Sequence, residues 1–215
     1  MNKRWKIAQY FELKWWKRYL NEKDIQEYLA NKKKYWQRLY DLVSKEVQIG
    51  PGKSILELGC GPSGLYLLFD KNNITAVDPL LDEYEKHLNI FSKAAYPNTK
   101  FITTTIEEYK NNEEFDVVFC MNAINHVSDI ELAYAKLAAC AKKGGKIIVS
   151  IDAHNYAFCK FLFRLLPGDI LHPHQYDLGE YEIFLQKNQC KILQTELVKK
   201  EFFFSHYMMV AEKMN

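Results

Sequence analysis

The chain has 215 residues, 48% hydrophobic and 26% charged, which excludes a disordered chain and suffices for one packed α/β domain with an appendage. A net charge of +2 argues against a nucleic-acid footprint over the whole chain, yet the charge is uneven: residues 1–50 carry 12 Lys and Arg against 6 Asp and Glu, the remainder 17 against 21. The five cysteines form no C-x-x-C pair, Met-Asn-Lys-Arg-Trp opens the chain without an apolar signal core, and no apolar run reaches bilayer-spanning length, so a cytoplasmic protein in a reducing compartment is expected.

Two helices are expected first. Trp5, Ala8, Phe11, Trp15 and Tyr19 recur at helical spacing. A capping signal at Asp24-x-x-Glu27 then opens a second stripe of Ile25, Tyr28, Leu29, Trp36, Leu39 and Val43, which Gly50-Pro51-Gly52 stops. The chain thus divides into a basic helical segment, 1–50, and a body, 51–215. The basic face reads as a solvated surface or as a contact for an anionic partner, a lipid headgroup or RNA phosphate.

From residue 54 the pattern changes. Short apolar strands near 54–60, 74–78, 100–105, 115–121 and 145–151 alternate with helical stretches near 64–71, 81–94 and 129–142. Repeated βα units imply a parallel sheet covered on both faces. The stretch "NYAFCKFLFRLL", 155–166, reads as a helix that Pro167-Gly168 breaks; a helix near 178–188 follows. The last two strands, near 191–199 and 202–212, have almost no connector and must pair antiparallel.

The chemistry concentrates in "SILELGCGPSG", 54–64. A strand running into a glycine loop offers backbone N–H groups to a ligand, and Gly59, Gly61 and Gly64 permit close approach. About 20 residues on, "ITAVDP" ends in Asp78, placed to accept hydrogen bonds from ribose hydroxyls, which suits a dinucleotide or another nucleoside. Glu57 separates the two. An acid beside the loop repels a pyrophosphate and favours a cation. It can also simply brace the loop.

These residues resemble the class I S-adenosylmethionine-dependent methyltransferases. "LELGCGPSG" is similar to their first motif, E/D-x-G-x-G, and "AVDP" to the second; "FDVVFCMNAINHV" and "KKGGKIIVS" resemble the fourth strand and the joint to the fifth. Ser63 stands where the third glycine usually is, with Gly64 one place later. The resemblance covers roughly residues 50–213. It implies a Rossmann-like, doubly wound seven-stranded sheet, mostly parallel with an antiparallel C-terminal hairpin, and an N-terminal helical lid. It also implies S-adenosylmethionine as donor and S-adenosylhomocysteine as product. The donor-binding set would be Glu57, Gly59, Cys60, Gly61, Gly64, Asp78, Pro79, Ile106, Glu107 and Asn122; Glu107 reads equally well as an acid at a helix N-terminus.

Methyl transfer asks mainly for positioning, and for a base only when the acceptor carries a proton. His126, after the fourth strand, is the candidate base or orienting group. Asn125, His154, His172, His174 and Tyr176 are candidates for the acceptor side, with Trp15, Trp16 and Tyr19 as a cover. His172 and His174 are spaced to ligate a metal, but no third ligand is evident, and no metal is expected. Phe158, Phe161, Leu162 and Leu165, alternating with Lys160 and Arg164, also suit peripheral contact with a membrane surface. The expected acceptor is a small apolar or aromatic molecule methylated on O or N. The alternatives are an RNA methyltransferase using the basic segment, a non-catalytic donor-binding subunit, and an NAD-dependent oxidoreductase. Oligomeric state is not written in these features.

Overall fold

A computed structural model describes residues 3–110, 114–156, 174 and 176–214, with side chains from residue 7 onward. Helices α1 (Lys3–Leu20) and α2 (Ile25–Val43) precede strand β1 (Ile55–Leu58). Strand β2 (Ile74–Val77), helix α3 (Leu81–His87), strand β3 (Thr99–Ile102) and strand β4 (Phe115–Met121) follow. Helix α4 (Ile130–Cys140), strand β5 (Ala141–His154), helix α5 (Leu178–Lys187) and strands β6 (Cys190–Lys200) and β7 (Phe204–Lys213) complete the described elements.

The strands form one sheet in the order β3-β2-β1-β4-β5-β7-β6. The first five are parallel neighbours, and β7 runs antiparallel to both β5 and β6. This is the doubly wound, Rossmann-like sheet with a C-terminal hairpin that the motifs implied. Side chains of β4 alternate across it: Val118 and Cys120 join the cluster under α4 and α5, whereas Val117, Phe119 and Met121 join the cluster under α1, α2 and α3. Both faces are therefore apolar, which is why β1 and β2 are buried at every position.

Four elements depart from the sequence pattern; one is the helix expected near 81–94, which ends at His87 where Leu88 turns extended. Residues 64–71, expected as a helix, form only short 3-10 turns at Gly61–Ser63 and Leu65–Leu67. Side chains take the backbone groups a helix would use: the Glu57 carboxylate accepts from Leu65 N–H at 2.8 Å, and the Trp36 indole donates to the Ser63 carbonyl at 2.8 Å. Strand β5 begins earlier than expected, because Lys142–Gly145 form an irregular excursion between the pairs Phe115↔Ala141 and Val117↔Lys146. In α1 the predicted stripe is rotated. Phe11, Trp15 and Tyr19 are exposed, while Leu13, Trp16 and Leu20 pack on the core.

The second stripe holds: Trp36, Leu39 and Val43 of α2 are buried with β1 and β2, and Asp24 caps the helix by accepting from Glu27 N–H at 2.8 Å. The expected helix over 155–166 and the break at Pro167-Gly168 lie outside the described residues, apart from Asn155 and Tyr156.

Candidate active site

At the carboxyl ends of the parallel strands, where the chain winds away from β1 in both directions, lies a cavity of about 480 Å³. This is the place where open α/β sheets leave a crevice. The loop after β1 contributes Gly59, Cys60 and Gly61, and the end of β2 contributes Asp78 and Pro79. Ile106 and Glu107 follow β3; Asn122 and His126 follow β4; Trp15 and Trp16 stand over it from α1. These predicted site residues therefore share one cavity.

Gly59 is required by contact. It has φ +75°, and a Cβ there would lie 2.2 Å from Ala123 Cβ on the next loop. Gly64 is required differently: its Cβ would meet both Glu57 carboxylate oxygens at 2.6 and 2.7 Å. Glu57 thus fills the space where Gly64 has no side chain. Its carboxylate is turned back into the loop and does not line the cavity, and burial pushes its pKa up to about 8. Glu57 and Gly64, expected as ligand contacts, brace each other, and neither lines the cavity.

Asp78 does face the cavity. One carboxylate oxygen accepts from Gly61 N–H at 3.0 Å and the other from Leu80 N–H at 2.9 Å. Burial, and next the carboxylate of Glu12, push Asp78 up to about 7. Glu12 was missed in the sequence. It projects from the inner face of α1 into the same cavity and accepts from Tyr84 O–H at 2.9 Å; burial raises its pKa too. The available signal was that Glu12 is the sole acid of α1, four residues before Trp16 on the same helical face. Lys32, in a Lys run that reads as solvated, was missed likewise. It lines the cavity four residues before Trp36, lies over the Tyr35 and Trp36 rings at 4.6 and 4.5 Å, and is pulled down to about 8 by burial.

On the β4 side, Asn122 holds a left-handed backbone, φ 53°. Ser150 of β5 fixes it: the Ser150 hydroxyl accepts from Asn122 N–H at 2.8 Å and donates to Asn122 Oδ1 at 2.9 Å. Glu107 reaches the cavity wall, but its Oε1 also accepts from Ser128 N–H and O–H at 2.7 and 2.8 Å, clasping the turn before α4. Ser63, at the position of the missing glycine, is anchored by α2 through Trp36 and through the Tyr28 hydroxyl at 3.0 Å.

Other predicted residues lie elsewhere. Asn125 is buried between α5 and β5, accepting from Tyr181 O–H at 2.9 Å. His154 is buried against Phe204, ring centroids 4.5 Å apart. His174 donates from Nε2 to the Val127 carbonyl at 2.7 Å, and Tyr176 packs on Tyr181 and Phe184. None of the four lines the cavity: Asn125 and His174 brace the turn after β4, whereas His154 packs on β7 and Tyr176 on α5. Tyr19 stacks on Trp15 but lies outside the cavity, lining a second groove with Tyr28 and Tyr35. His172 falls outside the described residues. Among the described residues no group of three His, Cys, Asp or Glu could hold a metal.

The profile of the methyltransferase-domain family matches residues 26–194, from α2 into β6. A ubiquinone biosynthesis O-methyltransferase of Rickettsia prowazekii is 28% identical over 185 residues, 75% of this chain and 72% of that protein. The (S)-coclaurine N-methyltransferase of Papaver somniferum is 27% identical over 121 residues, 54% of this chain and 34% of that protein. The chain spans about half the length of further ubiquinone O-methyltransferases that it matches. Among solved structures, magnesium protoporphyrin IX methyltransferase of Synechocystis PCC 6803 with bound S-adenosylmethionine superposes with a TM-score of 0.66 at 16% identity, over 99% of this chain and 98% of that one. That likeness shows the fold, and the matched profile shows the family: the chain belongs to the class I S-adenosylmethionine-dependent methyltransferases.

Proposed function

We propose that the chain transfers a methyl group from S-adenosylmethionine to an oxygen or nitrogen of a small aromatic or lipophilic acceptor. The observation that carries this reading is one cavity lined both by acids and by indoles. The Asp78 and Glu12 carboxylates, both with raised pKa values, share it with Trp15, Trp16 and Trp36. The cavity size suits a nucleoside plus part of an acceptor. Buried carboxylates whose protons are held too tightly favour a ligand bringing hydroxyl donors and positive charge, and disfavour a pyrophosphate. A Cβ added at Gly61 meets nothing within 4 Å, so the loop leaves room for a ligand to approach its backbone.

When bound, the sulfonium supplies an already activated methyl group. The chain's own work is then to bind, orient and exclude water. Asp78 and Glu12 accept the ligand's hydroxyl protons, Ile106 offers an apolar surface to a flat ring, and Asn122 is held rigid by Ser150. His126, at the cavity wall, takes a proton from a hydroxyl acceptor or orients it. Trp15 and Trp16 keep water from the reacting face. The relatives named as O-methyltransferases of ubiquinone biosynthesis make a hydroxyl the first acceptor class to try.

The test is transfer of labelled methyl to a panel of phenols, amines and RNA, followed by a lysate metabolite screen with mass spectrometry. A labelled phenol or amine, with turnover lowered about 10²–10⁴-fold in His126→Ala, supports the reading. Labelled RNA, or donor binding with no transfer to any acceptor, contradicts it.

A further inference from the structure

Helix α1 has a second face that the donor cavity does not use. Its inner face, Gln9, Glu12 and Trp16, closes the cavity. Its outer face exposes Ile7, Tyr10 and Phe11 at 48%, 62% and 47%, with Trp15 and Tyr19 stacked at its edge. Lys14, Lys17 and Arg18 are exposed between these side chains. The sole acid of the helix, Glu12, is on the inner face, so no carboxylate of α1 faces outward. Aromatic residues interleaved with cations on one helical face match a lipid–water interface: the rings sit at headgroup level, and the long cationic stems reach phosphates.

A second element repeats this chemistry at the same end of the sheet. Strand β7 pairs antiparallel with β5, so the β6–β7 turn lies beside the carboxyl end of β5, the end that holds the cavity. That turn exposes Phe202 at 71% and Phe203, with the exposed Tyr156 ring 5.9 Å from Phe202. Lys199 and Lys200 are exposed just before it; Glu201 pairs with Lys199. The opposite end of the parallel strands carries the Asp116 clasp and no comparable aromatic cluster among the described residues.

We infer that the cavity-bearing end of the molecule docks on an anionic phospholipid bilayer through the outer face of α1, assisted by the Phe202–Phe203 turn. Exposed aromatics alone would fit several partners. The net positive charge of the outward face, without an opposing carboxylate on α1, selects an anionic surface over a neutral one or a second copy of the same basic helix. Docking would present the cavity mouth, at Trp15, to molecules dissolved in the bilayer. The inference stands apart from the identity of the acceptor and from donor binding.

The test is sedimentation of the full chain with vesicles of phosphatidylcholine alone, or of phosphatidylcholine with about one quarter phosphatidylglycerol. The expected result is binding to the anionic vesicles and at least about tenfold less to the neutral ones. Lys14→Gln/Lys17→Gln/Arg18→Gln should weaken partitioning about 100-fold, at roughly fivefold per lost charge. Tyr10→Ser/Phe11→Ser should weaken it at least about tenfold, on the cost of no longer burying a large apolar side chain. All variants should bind S-adenosylhomocysteine as the wild type does, which shows that they are folded. Absence of vesicle binding, equal binding to both vesicles, or undiminished binding by these variants overturns the inference. So does a dimer in analytical ultracentrifugation, or binding to a poly(U) probe, if either is lost in the Tyr10/Phe11 or Lys14/Lys17/Arg18 variant while vesicles are ignored.

Discussion

The two ends of the parallel strands hold carboxylates in opposite conditions. At the amino end, Asp116 of β4 accepts from Ser54 N–H at 3.0 Å, Ser54 O–H at 2.8 Å, Lys142 at 2.9 Å and Lys53 at 3.1 Å. Lys142 first, then the Ser54 backbone, hold its pKa well below the usual carboxylate range. At the carboxyl end, Glu57, Asp78 and Glu12 have burial as their first influence, and their pKa values rise. None of these three forms an ion pair with a described residue. The amino-end acid is complete in itself and ties β1 to β4. The carboxyl-end acids have no such clasp; Lys32 lines the same cavity and offsets the Glu57 charge in part, while burial dominates Asp78 and Glu12, an excess of acid that favours a positively charged ligand.

Breaking the carboxyl end should cost ligand, with little loss of fold. Asp78→Ala should weaken S-adenosylmethionine binding by about 1–3 kcal/mol, roughly 5- to 150-fold, measured by calorimetry. Breaking the amino end should do the reverse. Asp116→Ala leaves Ser54 N–H and two lysines without their shared acceptor, at a cost of about 1–3 kcal/mol. In a chain of this size Tm then falls by about 2–4 °C per kcal/mol, while donor affinity measured well below Tm stays unchanged.

Glu57 sharpens the comparison through pH. Its folded pKa of about 8 lies above the ordinary glutamate value of 4.5, so between these values the folded state holds a proton that the unfolded state has released. Stability therefore falls as pH rises through that window. Glu57→Gln removes the ionisation, and the amide oxygen still accepts from Leu65 N–H. Tm should match wild type near about pH 5 and exceed it near about pH 8 by roughly 3–6 °C, taking only one pKa unit, about 1.4 kcal/mol, as the gain. The smallest effect is expected for Glu12→Gln, which keeps the bond from Tyr84: a loss of donor affinity of about threefold to tenfold.

The sheet was legible because βα alternation is a local pattern, and the closing hairpin because two adjacent strands have one way to pair. Asp78 was legible for a similar reason: its distance from the glycine loop fixes the strand tip on which it stands. The loop after Gly61 was not legible, since a helical pattern cannot show that Glu57 and Trp36 take its backbone groups. Nor was the rotation of α1. Its largest side chains suggested the buried stripe, whereas Trp16, Leu13 and a single acid, Glu12, face inward. Asn125, His154, His174 and Tyr176 have the polar and aromatic character of active-site residues, but contacts with α5, β7 and the turn after β4 keep them out of the cavity. Only tertiary contact separates the two fates.

The most direct measurement is calorimetric titration of S-adenosylmethionine at about pH 6 and about pH 7.5, each in two buffers of different ionisation heat. A cation bound against Asp78 and Glu12 lowers their pKa values, so binding should release roughly half a proton or more near pH 6 and tighten as pH rises; the double variant Asp78→Asn/Glu12→Gln should lose both effects. Proton uptake, or affinity that is flat with pH and carries no proton release, would contradict the account.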